Sequence, residues 1–182
     1  MKRGIRKWRY GSPILLVFVL VIVHGCGFHL RGVASLPPSV SGIFVEQQQA
    51  PLIAESLSHA FIEQQLPLVE DKALAQVFIR VFQERYQRRV LSVDASGKVQ
   101  QYELDYTVNL QILDSKGQAL ATPQTLSLTR DQRYDSSQVL AMASEEQSLK
   151  KEILEDAARQ IIRRLQFINP SQNSQSAAQS AK

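Results

Sequence analysis

Hydrophobic and polar residues alternate most regularly over residues 100–113. Six successive apolar positions fall on one side of an extended chain, namely Tyr102, Leu104, Tyr106, Val108, Leu110 and Ile112. The positions between them are polar: Gln101, Glu103, Asp105, Thr107, Asn109 and Gln111. A period of two is typical of a strand that buries one face and leaves the other in water. The pattern therefore predicts an antiparallel strand here.

Three further segments are predicted to be strands. Residues 42–46 form a short β-like run, and the residues that follow Val77 alternate and then continue as a polar extension to Val90. Turns that end in glycine, at residues 94–97 and 114–117, flank the clearest strand. The last strand, residues 120–134, is interrupted by Pro123, which favours an edge strand or a bulge.

Two segments have the period of amphipathic helices. Residues 51–65 begin with Pro51, and this helix should end before Pro67. Residues 137–167 form the longer helix, in which residues 144–148 lack an apolar side chain, so we expect a bend or a projection there. Its apolar stripe is Leu149, Ile153, Ala157, Ile161 and Leu165.

The order of these elements predicts an α+β fold. Two helices pack on a mostly antiparallel four-stranded sheet, as a two-layer sandwich, within a globular domain of residues 42–169. Residues 26–41 contain two consecutive prolines and are expected to be a tether. Residues 170–182 are polar and low in complexity, which predicts a disordered tail.

Residues 1–25 have the build of a secretory signal peptide. A basic segment precedes an uncharged apolar run at residues 13–23, which is shorter than the roughly 20 residues that span a bilayer. A retained single-span anchor is the alternative. Five of the 21 basic residues lie in the first nine positions, so the rest of the chain has 16 basic and 17 acidic residues. The overall basic charge is therefore no indication of nucleic-acid binding.

Cys26 is the only cysteine, so it cannot form an intramolecular disulfide. Residues 23–26 resemble the lipobox of bacterial lipoproteins, in which cysteine becomes the first residue and carries an N-acyl diglyceride. Several lipid chains are enough for stable anchoring, where one chain is marginal. Gly27 stands where an aspartate would resemble an inner-membrane retention signal, which favours the outer membrane. The alternative is an inert, buried cysteine.

Motifs for catalysis, metal binding and cofactor binding are missing from the sequence. His29 and His59 are far apart and have no cysteine partner, whereas zinc sites draw three or four ligands. The sequence lacks a nucleophile elbow, a P-loop and a dinucleotide-binding glycine motif. Acidic pairs in the long helix are explained by a solvated face. We predict no catalytic residue, no metal and no cofactor beyond the covalent lipid.

The segment Cys26-Gly27-Phe28-His29-Leu30-Arg31-Gly32 resembles the start of mature LPS-assembly lipoproteins of the LptE family. The order of elements and the helical ending at residues 157–165 are similar to that family as well. The resemblance implies a non-enzymatic lipoprotein on the periplasmic side of the outer membrane. Such proteins plug the lumen of the β-barrel LptD, assist its assembly and bind lipopolysaccharide (LPS).

LPS carries phosphates, so a direct contact should use arginine or lysine. The candidates are Arg88, Arg89 and Lys98 at the first hairpin and Arg130 and Arg133 at the end of the last strand. They form a basic tip if the two hairpin ends point the same way; otherwise they are scattered surface charges.

Two features of the family are replaced in this chain. Ala95 and Met142 stand near places where family members can carry a basic residue. The alternatives to an LPS-assembly role are a lipoprotein scaffold for another envelope complex and a membrane-tethered envelope enzyme.

Overall fold

The structure, a computed structural model, describes Leu36 and residues 40–168. Its elements in chain order are β1 (Ile43–Gln48), α1 (Pro51–Glu63), a short 3-10 turn (Lys72–Leu74), β2 (Val77–Val93), β3 (Val99–Asp114), β4 (Gln124–Arg133) and α2 (Val139–Leu165). The predicted α+β fold is confirmed. The predictions for the signal peptide, Cys26, His29 and the tail after residue 169 fall outside the described residues.

The four strands form one sheet in the order β1-β2-β3-β4. β1 pairs with β2 in parallel, and the other two pairings are antiparallel. A parallel pair needs a crossover connection, which α1 supplies. The sheet is therefore mostly antiparallel, as predicted, and β4 is an edge strand.

Both helices bury their apolar sides against the same face of the sheet. α1 contributes Ile53, Leu57 and Phe61, and α2 contributes the stripe predicted from Ile153 to Leu165 together with its neighbours. The predicted inner row of β3 is buried from Leu104 to Ile112. Each fully buried aliphatic or phenyl side chain stabilises the fold by roughly 1.5–3 kcal/mol.

The start of β4 differs from the sequence prediction for a physical reason. β4 begins at Gln124, directly after Pro123, because proline has no N–H to donate to the ladder. α2 is one continuous helix despite the polar stretch at residues 144–148, although Leu140 near its start is 89% exposed. Neither helix among the described residues is long and apolar enough to cross a membrane.

A β-bulge in β2 joins the sheet to the start of α1. Gln83 and Glu84 together oppose Val108 of β3, and Gln83 has a left-handed backbone with φ of 54°. The Glu84 carboxylate accepts hydrogen bonds from the backbone N–H groups of Leu52 and Ile53, each at 2.9 Å. It thus caps α1, whose N-cap residue has no capping side chain of its own.

The same carboxylate satisfies a buried phenol. The Tyr106 hydroxyl donates to Glu84 Oε1 at 2.6 Å, and the Tyr106 side chain is fully buried. Burial, followed by the contact with Glu84, raises the pKa of Tyr106 far above its ordinary value. One side chain therefore serves a helix end, a strand bulge and a core aromatic residue.

We predict that Glu84→Ala lowers the free energy of unfolding by roughly 2–4 kcal/mol. The change removes a helix cap and leaves a buried hydroxyl without its acceptor. Urea unfolding followed by circular dichroism measures this loss. Glu63→Ala at the exposed end of α1 is the control and should stay within about 0.5 kcal/mol of the wild type. Equal stabilities of the two variants would contradict the role of Glu84.

Candidate functional site

The face of the sheet opposite the helices is left open by the described elements. It carries the polar row that alternates with the buried row of β3, from Gln101 to Gln111. On the neighbouring edge strand, the residues of the same face are exposed: Thr125, Ser127, Thr129, Asp131 and Arg133. The predicted outward polar row therefore forms a wide polar surface that the domain does not use for its own core.

The bulge decides which arginines reach this open face. Before it, Arg80 pairs across the sheet with Gln111, and after it, Arg85 pairs with Thr107 and Arg89 with Glu103. Odd-numbered residues of β2 thus face outward beyond the bulge, while Arg88 turns towards the helices. A strict alternation from Val77 without the bulge would assign Arg85, Arg88 and Arg89 to the opposite faces.

Arg88 is held by the long helix. Its Nη1 donates to Glu146 Oε2 at 2.7 Å, and its guanidinium lies 4.6 Å from the centre of the Tyr102 ring. Next to it, burial and then the Glu146 carboxylate raise the pKa of Tyr86 to about 12. Arg88 therefore contributes to holding α2 against the first hairpin.

Arg130 also faces the helices. It forms an ion pair with Asp156 of α2, and its Nη1 donates to the Thr129 carbonyl at 2.9 Å. Arg159 and then Arg130 lower the pKa of the Asp156 carboxyl. The stabilisation from this carboxylate is therefore present above the pKa of an unfolded aspartate and is lost as the pH falls through the lower, folded value.

The remaining three candidate cations, Arg89, Lys98 and Arg133, differ in whether they form a salt bridge. Arg89 forms an ion pair with Glu103 on the open face. Lys98 and Arg133 are exposed and form no salt bridge with any described residue. Both lie at the same end of the sheet, since Arg133 pairs with Gln101 close to the turn that contains Lys98.

That turn is a tight, internally bonded loop. The Asp94 carboxylate accepts from the backbone N–H groups of Ser96 and Lys98 and from the Ser96 hydroxyl, at 2.7–3.0 Å. Hydrogen bonding, first from the Ser96 hydroxyl, lowers the pKa of Asp94. Gly97 has φ of 81°, the left-handed conformation that favours glycine. The loop thus presents the Lys98 side chain from a fixed backbone.

Arg85 is a cation that the sequence analysis did not single out. It is exposed, has no salt bridge among the described residues, and lines a groove of about 450 Å³ beside the bulge. The other lining residues are Gln49, Gln83, Glu84, Thr107, Val108, Asn109 and Thr125. Only knowledge of the bulge would have placed Arg85 on this face.

The two positions at which this chain departs from the family pattern have ordinary surroundings. Ala95 lies in the Asp94–Lys98 turn and is exposed. Met142 lies in the first turns of α2, where its carbonyl accepts from Gln132 Nε2 at 2.8 Å and its sulfur from the Asp135 N–H at 3.3 Å. Neither position adds a positive charge.

A second groove, of about 880 Å³, lies between the outer sides of α1 and α2. His59 lines it, with Nε2 4.0 Å from Glu55 Oε1, and both side chains are largely exposed. Over the part of the chain that the structure describes, no group of three or more histidine, cysteine, aspartate or glutamate residues could hold a metal ion.

Comparison with known proteins gives a consistent result. The family model described as "LptE: Lipopolysaccharide-assembly" matches residues 40–165. The LPS-assembly lipoprotein LptE of Pectobacterium atrosepticum is 27% identical over 173 residues, which cover 92% of this chain and 91% of the relative. The protein of the same name from Photorhabdus laumondii is 25% identical over 154 residues, covering 84% and 83%.

Two solved structures are similar as well. The NMR structure of the uncharacterized lipoprotein B from Nitrosomonas europaea has a TM-score of 0.67 and 30% identity, covering 77% of this chain and 90% of that one. The crystal structure of a minor lipoprotein from Acinetobacter baumannii has a TM-score of 0.58 and 25% identity, covering 71% and 93%.

Basic residues that pair with α2 should affect stability more, when neutralised, than basic residues without a salt bridge. We predict that Arg88→Gln and Arg130→Gln each lower the free energy of unfolding by about 1 kcal/mol, because each loses an ion pair with α2. The matched changes Lys98→Gln and Arg133→Gln should stay within about 0.5 kcal/mol. Thermal unfolding of the four variants tests this. A ranking in which the second pair is the more destabilised would be inconsistent with this division.

Proposed function

Because the chain belongs to the LptE lipopolysaccharide-assembly family, we propose that it is the lipoprotein partner of the outer-membrane β-barrel LptD. In this role it plugs the barrel from the periplasmic side, assists barrel assembly and takes part in LPS transport to the outer leaflet. The role is non-enzymatic. The match over residues 40–165 carries this proposal, since it spans all of the sheet and helices.

The open polar face supports the plug role. The inside of a large outer-membrane barrel is polar, so a domain enclosed by it needs an exterior that hydrogen-bonds rather than one that is apolar. Residues of β3 and β4 provide amides, hydroxyls and charges on that face, and the main hydrophobic core lies on the other side of the sheet. At the β1 side of the open face, Phe44, Phe78 and Leu113 form a small apolar group. Enclosure would therefore not require the domain to unfold or repack.

Direct contact with LPS is assigned to the free cations at the hairpin end. Lys98 and Arg133 would leave no salt bridge with a described residue, and Arg133 can bind a phosphate with two parallel hydrogen bonds. Arg85 lies on the same face, further from the turn. Arg88, Arg89 and Arg130 are less available, because each would first have to leave a carboxylate.

A lipid anchor on Cys26 completes the proposal. An N-acyl diglyceride at this position would tether the domain to the outer membrane through the segment that precedes Val40. The names of the relatives, which are LPS-assembly lipoproteins, support this assignment.

Mild-detergent purification of the tagged, full-length chain from outer membranes tests the partnership. The expected result is a large β-barrel in near one-to-one yield, identified by mass spectrometry as LptD. Recovery of the chain alone, or with peptidoglycan-bound or inner-membrane proteins, would contradict the proposal. It would favour a lipoprotein scaffold for another envelope complex.

For the lipid anchor, we predict that Cys26→Ala abolishes incorporation of labelled palmitate, because the diglyceride is attached through the cysteine sulfur. Residues 40–168 should keep their fold. Mass spectrometry of the N-terminus and circular dichroism measure the two properties. The wild-type chain should accumulate as a precursor when lipoprotein signal peptidase is inhibited by globomycin. Labelled lipid on the alanine variant would rule out Cys26 as the site.

For the ligand site, we predict that the double change Lys98→Glu and Arg133→Glu weakens binding of purified LPS about tenfold, because two attractive charges become repulsive. Binding is measured with fluorescent LPS and the full-length chain in detergent. The matched control is the double change Lys116→Glu and Arg163→Glu, which alters the net charge equally. Lys116 lies in the turn between β3 and β4 at the opposite end of the sheet, and Arg163 is exposed in the last turn of α2. Equal losses in both proteins would mean that only overall charge matters.

A further inference from the structure

We propose that the free edge of β4 accepts an extended segment of the barrel partner, which adds a fifth strand to the sheet. The inference rests on the proposed function and names how the partner is held. It starts from the backbone of β4, whose unpaired N–H and C=O groups form a template for another strand.

The hydrogen-bond pattern identifies the free groups. The Tyr134 N–H donates to the Gln100 carbonyl at 2.9 Å, and β3 and β4 stay in continuous register from Gln101 and Arg133 onward. Hydrogen bonding alternates along an antiparallel pair, so even-numbered residues of β4 point their backbone groups at β3. The odd-numbered residues point theirs away from the sheet: Thr125, Ser127, Thr129, Asp131 and Arg133. Of these groups, the Thr129 carbonyl already accepts from Arg130 Nη1.

β4 lacks the features that usually protect an edge. Its ten residue pairs with β3 contain no bulge, and its sequence QTLSLTRDQR contains no proline or glycine. Natural edges are commonly short, bulged, or interrupted by lysine or proline. Only the last four residues of β4 include charges, so the first six present a flat, uncharged edge about 20 Å long.

The other edges of the same sheet are protected. At β1, the Ile43 N–H donates to the Pro67 carbonyl and the Ile43 carbonyl accepts from Val69, so part of that short edge is covered. Beyond β1, the edge of β2 has bulges at both ends and carries arginine residues. Among the strands of the described chain, β4 alone is long, regular and uncovered.

Charge indicates what the added segment contains. Asp131 lies directly opposite Glu103, and like charges at such a position are destabilising. Glu103 has a counter-ion in Arg89, whereas neither Asp131 nor Arg133 forms a salt bridge with a described residue. A basic residue beside Asp131 and an acidic one beside Arg133 would supply the missing counter-ions, so the partner segment is extended, neutral over its main length and of mixed charge at one end.

Ser127→Pro tests the edge in the full-length, lipidated chain. Ser127 has an outward N–H that forms no hydrogen bond with a described residue, so proline removes only a donor to the added strand, as edge positions permit. The matched control Ser127→Ala keeps the N–H and loses the hydroxyl. We expect about tenfold less co-purified barrel with the proline variant and wild-type yield with the alanine variant.

The outcomes separate the two proposals. Barrel recovery with the wild-type chain decides the proposed function, and the difference between the proline and alanine variants decides the edge. Equal recovery with both variants would overturn strand addition while leaving the partnership intact. If the wild-type chain recovers no barrel, both proposals fail. If the free chain instead forms a dimer that Ser127→Pro abolishes, the added strand comes from a second copy of this chain and the barrel proposal is wrong.

A second measurement covers the case in which the proline variant does not fold. Amide hydrogen exchange of the wild-type chain reports each N–H of β4 directly. In the free chain, the Ser127 and Asp131 amides should exchange quickly and those of Leu126 and Leu128 slowly. In the barrel complex, protection of the Ser127 and Asp131 amides should rise at least tenfold. Unchanged exchange there would show that the barrel contacts only side chains.

Discussion

The carboxylate of Glu84 joins three parts of this fold through hydrogen bonds. It accepts hydrogen bonds from N–H groups in the first turn of α1 and from the hydroxyl of a buried tyrosine, and it lies in a bulge that interrupts the pairing of β2 with β3. The left-handed backbone at Gln83 costs on the order of 1 kcal/mol. A charged acceptor shared by three donors offsets that cost, so the bulge persists.

The bulge also determines how the long helix is held. Beyond it, Arg88 and Tyr86 turn towards α2, whose first turns are apolar in sequence but not buried, since Val139 is 59% and Leu140 is 89% exposed. Polar contacts take the place of a core there: Arg88 pairs with Glu146, Lys150 lies 5.0 Å from the Tyr86 ring centre, and the buried Gln132 amide donates to the Met142 carbonyl. The hairpin and the start of α2 consequently extend beyond the apolar core and are held together by polar contacts.

Periodic segments were predictable from sequence and the bulge was not. The buried row of β3 and the stripe of α2 repeat over many residues, so the direction of each side chain follows from the period. Around Gln83 the sequence FQERYQRR is polar on both sides of the switch, and nothing in it indicates an extra residue. The faces of Arg85, Arg88 and Arg89 therefore could not be predicted from the sequence. For this reason the five candidate cations were predicted as one group, although the structure divides them between two faces.

The arrangement separates the residues that fold the domain from those that remain free for a partner. Among the described residues, the main hydrophobic core lies on the helix side of the sheet, and the outward residues of β4 and most of those of β3 contribute little to it. A surface that is not needed for folding can change its charges at small cost in stability. Relatives of low sequence identity can therefore keep this core while the open face and the β4 edge adapt to the partner that each domain meets.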